Sequence, residues 1–205
     1  EYEDWLLQRR LSWNTISTYM RTLQAVYNRL SPPGTPEHNP RLFDDVYTKV
    51  KSQIKRALTE EQMGRLMHAD LDVLSEELQR VQAYFLLMFL FRGMPFIDLA
   101  HLRKRDVKDG KIAYRRHKTG KQITLRIPRE ALPLLKEFKD KDETSLYLFP
   151  ILNVAPEGDD ALYECYQKAL RNFNKMLRVL AKRLLPGIKI SSYTARHTWA
   201  TLAYH

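Results

Sequence analysis

The first part of the chain carries apolar side chains at helical spacing. From Thr15 they recur every three or four positions for about four turns, up to Leu30. Residues 31–36 hold three prolines and a glycine, which predicts the end of this helix. The end of an earlier helix is predicted at residues 5–7 and a short helical piece at 42–50. Together these segments predict one small helical unit.

A second region begins with a helix-start signal. Thr59 and Gln62 have the spacing of a capping box, in which the Thr hydroxyl and the Gln side chain satisfy free amides of the first turn. The helix that they start is predicted to run to about His68. Residues 78–91 are strongly apolar and predict a buried helix, and residues 96–103 predict another short one. A new domain is therefore expected from residue 59.

The pattern then changes to alternation. Residues 111–116 and 122–128 alternate between apolar and polar side chains, and the turn sequence Lys118-Thr119-Gly120-Lys121 separates them. This arrangement predicts a β-hairpin. The remaining predicted elements are helices at 129–139, at 161–184 and from about Ser192, and a short strand at 146–150 that stops at Pro150.

These elements predict a fold that is mainly α with a small antiparallel β-sheet. We expect a helical domain at 1–50, a basic linker at 51–58 and an α+β domain at 59–205. The chain begins without Met and stops at His205 within an apolar-periodic stretch, so we expect both ends to be interior points of a longer protein.

Charge and composition narrow the classes of partner. The formal net charge is +10 and the pI about 9.7, which favours a polyanion such as DNA, although a basic balance can also simply aid solubility. The longest apolar run, 83–91, is shorter than the roughly 20 residues of a membrane span. The single cysteine, Cys165, has no internal disulfide partner and is interpreted as a core residue. With no leader-like N-terminal run, we expect an intracellular protein.

The segment Ala195-Arg196-His197-Thr198-Trp199-Ala200-Thr201 resembles the second arginine motif of the tyrosine recombinases. The resemblance implies that Arg196 contacts the scissile phosphate, a role that suits a planar, permanently charged guanidinium. Three residues earlier that family usually has His or Lys, whereas Tyr193 stands here. A tyrosine can donate a hydrogen bond to phosphate but adds no positive charge, so Tyr193 is either an auxiliary donor or a packing residue. The alternative for Arg196 is a solvated arginine at a helix start.

Residues 91–102 resemble the first arginine box of the same family. In the commonest pattern the Arg lies three residues before an acidic residue, but Pro95 occupies that place before Asp98. We hypothesise that Arg92, six residues before Asp98, serves instead. The alternative is that Arg92 caps the carboxyl end of the preceding helix. The Arg-Gly-Met-Pro variant resembles a branch of Bacteroides-type integrases and DNA invertases.

The family carries its catalytic lysine on a hairpin between these two boxes, which implies Lys118, with Lys121 in reserve. We expect Arg115, Arg116 and Arg126 to crowd Lys118 and disfavour its ammonium, which would ease proton donation to the leaving 5′ oxygen of DNA. The alternative is a basic hairpin that only binds backbone phosphate.

The start of the first long helix, Ser12 to Tyr19, resembles the family's helical core-binding domain. Small polar side chains at a helix start can contact phosphate, although simple capping explains each of them singly. The predicted DNA-contacting residues are Arg10, Asn14, Thr15, Thr18, Arg21, Lys55, Arg56, Arg115 and Lys121.

As a whole, the resemblance implies site-specific DNA recombination through a 3′-phosphotyrosyl intermediate, with no metal or other cofactor. Its partners would be double-stranded DNA and, on that DNA, a homo-tetramer; the present chain alone is expected to be monomeric and to lie in a bacterial cytoplasm, at the nucleoid. The family's nucleophilic tyrosine follows the Arg-His-Thr helix, so we expect it beyond His205 and expect these 205 residues alone not to cleave DNA. A non-catalytic DNA-binding regulator on the same scaffold is the alternative.

Overall fold

The structure is a computed structural model that describes residues 1–49, 57–69, 74–152 and 158–203. The chain divides into two compact units, Glu1–Lys55 and Arg56–His205. The two basic candidates Lys55 and Arg56 lie outside the described residues. In the described part of the chain, no helix is both long and apolar enough to cross a membrane.

The first unit is built on two helices, α1 (Tyr2–Gln8) and α2 (Trp13–Leu30). Leu6 of α1 packs against Ile16 and Met20 of α2 in a small core. The Ser12 side chain caps α2 by accepting a hydrogen bond from the Thr15 amide at 3.3 Å. The two helices that the apolar spacing predicts in this region are therefore present.

The prediction of a short helix at residues 42–50 is wrong. Residues 42–46 form successive turns, in which Val46 bonds back to Phe43 rather than four residues back, and residues 47–49 have no regular structure. A segment this short does not hold a helix without a packed apolar face. Phe43 instead contacts the Tyr27 ring, with 5.9 Å between centroids, and Val46 packs on the small core.

The second unit is mainly helical, as predicted. Its helices are α3 (Glu60–Met67), α4 (Glu76–Leu90), α5 (Phe96–His101), α6 (Ala131–Phe138), α7 (Asp159–Leu184) and α8 (Ser192–Leu202), with a short 3-10 helix at Lys104–Asp106. The apolar helix α4 lies at the centre and packs against α6, α7 and α8. The predicted capping box is present at α3, where Thr59 and Gln62 bond each other's amides. Cys165 is half-buried at the edge of the core.

A three-stranded antiparallel sheet completes this unit, in the order β1 (Val107–Lys108), β2 (Lys111–Arg115) and β3 (Gln122–Arg126). Strand β1 was not predicted, although Asp109-Gly110, the two-residue turn that joins it to β2, is a strong hairpin signal. Both turn residues have positive φ, 50° and 69°, as such a turn requires. The expected fold class, mainly α with a small antiparallel sheet, is confirmed.

The prediction of a short strand at residues 146–150 is wrong. Only an isolated bridge joins Tyr147 to Arg103, and the Leu148 amide donates to the Leu102 carbonyl at 2.7 Å. Pro150 has no amide hydrogen to extend a ladder, so the segment is held by bonds to loops rather than by a neighbouring strand.

Candidate active site

The connection between α4 and α5 has an unusual backbone. Arg92 and Gly93 follow one another in the left-handed region, with φ of 58° and 68°. A Cβ added to Gly93 would lie 3.1 Å from the Cα of Arg196, a contact so tight that a neighbour must shift by a few tenths of an ångström. Gly93 therefore suits both the left-handed conformation and the close approach of α8.

Helix α8 holds Arg196 against this connection. The Nη1 of Arg196 donates a hydrogen bond to the Gly93 carbonyl at 3.0 Å. The adjacent Ala195 is fully buried, and so is Thr198, whose hydroxyl donates to the Thr194 carbonyl and accepts from the Leu58 amide. Since the backbone around Arg196 is fixed on both sides, its guanidinium is positioned in advance.

A cavity of about 210 Å³ lies at this junction. Three arginines from distant parts of the sequence line it: Arg92 after α4, Arg116 after β2 and Arg196 in α8. Its other lining residues are Phe91, Gly93, Met94, Tyr114, Ile123, Thr124 and Leu125. The two arginines that the family motifs indicate are thus brought together, while the role of each stays a prediction.

Arg116 is a lining residue that sequence reasoning missed. The signal was present in the alternation of β2, where Ile112 and Tyr114 are buried and Arg116, two residues further on, continues the same side. Arg115 points the other way and is exposed.

Lys118 does not line the cavity. It lies exposed in the hairpin turn, where the Arg116 amide donates to the Lys121 carbonyl and the Gly120 amide to the Arg116 carbonyl. Lys121 is also exposed. The expected crowding of Lys118 by Arg126 is wrong, because Arg126 pairs with Lys111 at the far end of the hairpin. Four residues of strand separate that pair from the turn end, a distance of roughly 13 Å.

Asp98 connects the first arginine box to the hairpin. Its buried carboxylate accepts a hydrogen bond from the His117 amide at 2.9 Å, next to Lys118 in the chain. Burial raises the pKa of Asp98, and the His117 amide and the charges of Arg116, His117 and His101 act in the opposite direction. The carboxylate therefore fixes the base of the hairpin turn from α5.

Tyr114 forms a wall of the cavity. Burial first, and the charge of Asp98 second, raise the pKa of its phenol to about 12, against the opposing charges of Arg116 and Arg196. At neutral pH the phenol is protonated, so it can donate a hydrogen bond but is a poor nucleophile.

Tyr193 lies on the first turn of α8 with 53% of its surface exposed. Its ring meets the His197 ring edge-on, with 4.9 Å between centroids. It does not line the arginine cavity, and this exposure is at odds with a core-packing role.

In the first unit, the predicted phosphate-contacting side chains surround the start of α2. The Thr15 and Ser12 hydroxyls bond each other at 2.8 Å, and the Thr18 hydroxyl donates to the Asn14 carbonyl. The Nε of Arg21 donates to the Ser17 carbonyl, and Arg10 has a positive φ of 58°. These bonds show capping and helix-backbone contacts; DNA contact by the same residues stays a prediction.

Comparison with known proteins identifies the class. The profile of the phage integrase family matches residues 56–204, so the chain belongs to that family, the tyrosine recombinases that the motif around Arg196 resembles. A crystal structure of XerA recombinase superposes with a TM-score of 0.51 and 20% identity, which shows the same fold. The superposition covers 99% of this chain but 66% of the XerA chain, just under two thirds. No protein of curated function matches the sequence.

Proposed function

We propose that this chain acts in site-specific DNA recombination (integration, excision or inversion) by transferring a DNA strand to a tyrosine and back. The observation that carries the proposal is the shared cavity of Arg92 and Arg196, which are 104 residues apart in the sequence. Two guanidiniums on one cavity of about 210 Å³ suit a tetrahedral phosphoryl group, whose charge they stabilise as it is transferred.

The remaining catalytic roles are proposed from the family resemblance. Lys118, on the exposed turn beside the Asp98-anchored residue His117, is proposed to protonate the leaving 5′ oxygen, with Lys121 in reserve. Tyr193 is proposed as an accessory hydrogen-bond donor at the DNA surface, since it is exposed. The reaction conserves the phosphodiester energy in the phosphotyrosyl link and needs no cofactor.

Tyr114 is not proposed as the nucleophile, although it lines the cavity. Its raised pKa of about 12 keeps the phenolate rare at neutral pH, and only 7% of its surface is exposed. Tyr114→Phe is therefore expected to retain strand transfer within a few-fold, whereas loss of the nucleophile would abolish it.

The proposed partner is double-stranded DNA. The first unit would act as a core-binding domain that contacts backbone phosphate through the start of α2, and full assembly would be a homo-tetramer on two duplexes. The net charge of +10 supports this partner. Because the proposed substrate is DNA, we propose a location at the nucleoid of a bacterial cytoplasm, and the Arg92-Gly93-Met94-Pro95 sequence supports the Bacteroides-type branch.

The test has two stages. The chain is first used to select tight-binding duplexes from a randomised library, and its affinity for them is measured at several salt concentrations. We expect sequence preference and a steep loss of affinity with salt, with a logarithmic slope of about −0.9 for each phosphate contacted. The complete gene product is then incubated with nicked versions of those duplexes, and covalent protein–DNA adducts are scored after denaturation.

The proposal expects an adduct that Arg92→Ala and Arg196→Ala each reduce by at least about 100-fold, the size expected for removing an electrostatic stabiliser of the transition state. Arg126→Gln, on the exposed face of β3, is the matched control and should change little. Specific binding without any adduct would contradict the recombinase proposal and favour a non-catalytic DNA-binding regulator.

A further inference from the structure

The third arginine of the cavity belongs to neither arginine motif. Arg116 lines the cavity together with Arg92 and Arg196. We propose that Arg116 is a third phosphate-binding residue of this site. The inference rests on the proposed function, because it assumes that the cavity receives a DNA phosphate.

Arg116 carries an unsatisfied donor. Its Nε is buried, with less than 1 Å² of accessible surface, and has no hydrogen-bond partner among the described residues. A buried N–H without a partner is unfavourable, so such groups mark positions where a ligand or water completes the bond. Arg116 lines the cavity, so a phosphate bound there is a candidate acceptor for its guanidinium.

No carboxylate of the described residues forms an ion pair with the three guanidiniums. The ion pairs in the described part of the chain are Glu1 with Asp4 and Arg65 with Glu61, so no carboxylate lies within 4.0 Å of the cavity guanidiniums there. Three like charges around about 210 Å³ repel one another, and an anion among them would relieve that repulsion. The cavity is thus electrostatically complementary to an anion such as a phosphoryl group.

Arg116 and Arg196 both act electrostatically on Tyr114 in the cavity wall. Both positive charges lower the pKa of the Tyr114 phenol from the value that burial would impose. The Arg116 backbone is also held, since its amide donates to the Lys121 carbonyl at 2.9 Å and its carbonyl accepts from the Gly120 amide at 2.8 Å. The hairpin therefore fixes the backbone from which the Arg116 side chain extends, two residues before Lys118.

The competing role for Arg116 is structural. Asp98 has a buried oxygen, Oδ2, without a partner, and the charge of Arg116 lowers the Asp98 pKa against the effect of burial. Arg116 would then serve only as a counter-ion that stabilises the carboxylate. In that case removing Arg116 would alter folding stability but not the affinity for phosphate.

The experiment follows the arginine Nε–H signals of the ¹⁵N-labelled chain by NMR while inorganic phosphate is added at constant ionic strength. The signals of Arg116 and Arg196 are assigned from their loss in Arg116→Lys and Arg196→Lys. We expect both signals to move with one common midpoint, while the Arg126 signal, on the exposed face of β3, stays in place. Arg116→Lys should weaken phosphate affinity about tenfold, as expected for loss of one charge-assisted donor, and Arg126→Gln should leave it unchanged.

The outcomes separate the two proposals. Movement of Arg196 without Arg116, or unchanged affinity in a folded Arg116→Lys protein, would overturn the third-arginine inference and leave the proposed function standing. Movement of neither signal would overturn both. A shift of the Arg116 signal in Asp98→Asn, with no response to phosphate, would establish the counter-ion role instead.

Discussion

The close approach of α8 to Gly93 gives the most direct test of the site's geometry. In Gly93→Ala the new Cβ would lie 3.1 Å from the Arg196 Cα and 3.4 Å from its carbonyl oxygen. Because the nearest contact is to a backbone atom of a helix whose Ala195 and Thr198 are buried, rotating a side chain cannot relieve it, and the backbone must shift by a few tenths of an ångström. We expect α8 to be displaced from the α4–α5 connection.

The size of the destabilisation follows from a comparison with Gly110. Its φ of 69° matches the 68° of Gly93, but no atom of the described residues lies within 4 Å of a Cβ added there. In both positions alanine must adopt the left-handed conformation, at about 1–2 kcal/mol, and part of this is offset by about 0.4–1 kcal/mol of lost chain entropy in the unfolded state. Forcing a carbon into a packed contact adds about 1–3 kcal/mol. Gly110→Ala should therefore cost about 1 kcal/mol and Gly93→Ala about 2–4 kcal/mol.

The assay is urea unfolding followed by tryptophan fluorescence. Trp199 in α8 reports on the second unit once the other two tryptophans, Trp5 and Trp13, are replaced by Phe. Gly93→Ala should also weaken phosphate binding, because it displaces Arg196 from the Gly93 carbonyl. Equal destabilisation by both alanines, within about 0.5 kcal/mol, would refute the close approach of α8, since that is the contact in which the two positions differ.

Three further variants probe the same unit by urea unfolding. Burial lowers the pKa of His101 in the folded protein. The stability that the neutral imidazole contributes is therefore complete above about pH 6.5 and is lost as the pH falls toward the pKa of the folded state. His101→Gln should reduce this loss of stability in acid, and an unchanged dependence of the unfolding free energy on pH would contradict the prediction. Thr198→Val leaves the Leu58 amide unpaired and should cost about 1–3 kcal/mol, whereas the exposed Thr201→Val should be nearly neutral; equal effects would exclude the bond. Thr59→Ala removes the α3 cap and should cost about 0.5–2 kcal/mol, so no change would mean that the cap is dispensable.

The sequence predicts the helices well because their signals are local. Helix α4 is strongly apolar in its second half and α7 has a long amphipathic period, so both are indicated by the local sequence alone. The sequence pattern does not predict strand β1, because two residues are too few to show alternation. The Asp109-Gly110 turn that follows it is nevertheless a hairpin signal. Residues 42–46 show the reverse case, where apolar side chains at helical spacing serve tertiary contacts of turns.

For the candidate site, the sequence indicates single residues but not how they come together. Arg92 and Arg196 can be found from motifs, and Arg116 from the alternation of β2, but their convergence cannot. It depends on Gly93 contacting α8 and on Asp98 bonding the His117 amide, contacts that join segments 103 and 19 residues apart. Such pairings follow from the packing of whole helices, which no local period encodes.

The contact between Asp98 and the His117 amide also bears on why a buried carboxylate can lie near the proposed anion site. Asp98 would repel phosphate if it faced the cavity, yet it is absent from the cavity lining and its charge interacts with that of Arg116. Before an anion arrives, that negative charge partly offsets the repulsion among three guanidiniums. Its bond to the His117 amide simultaneously fixes the turn that carries Lys118. One side chain thus has two roles, since its charge opposes the repulsion at the arginine cavity and its bond fixes the position of the hairpin.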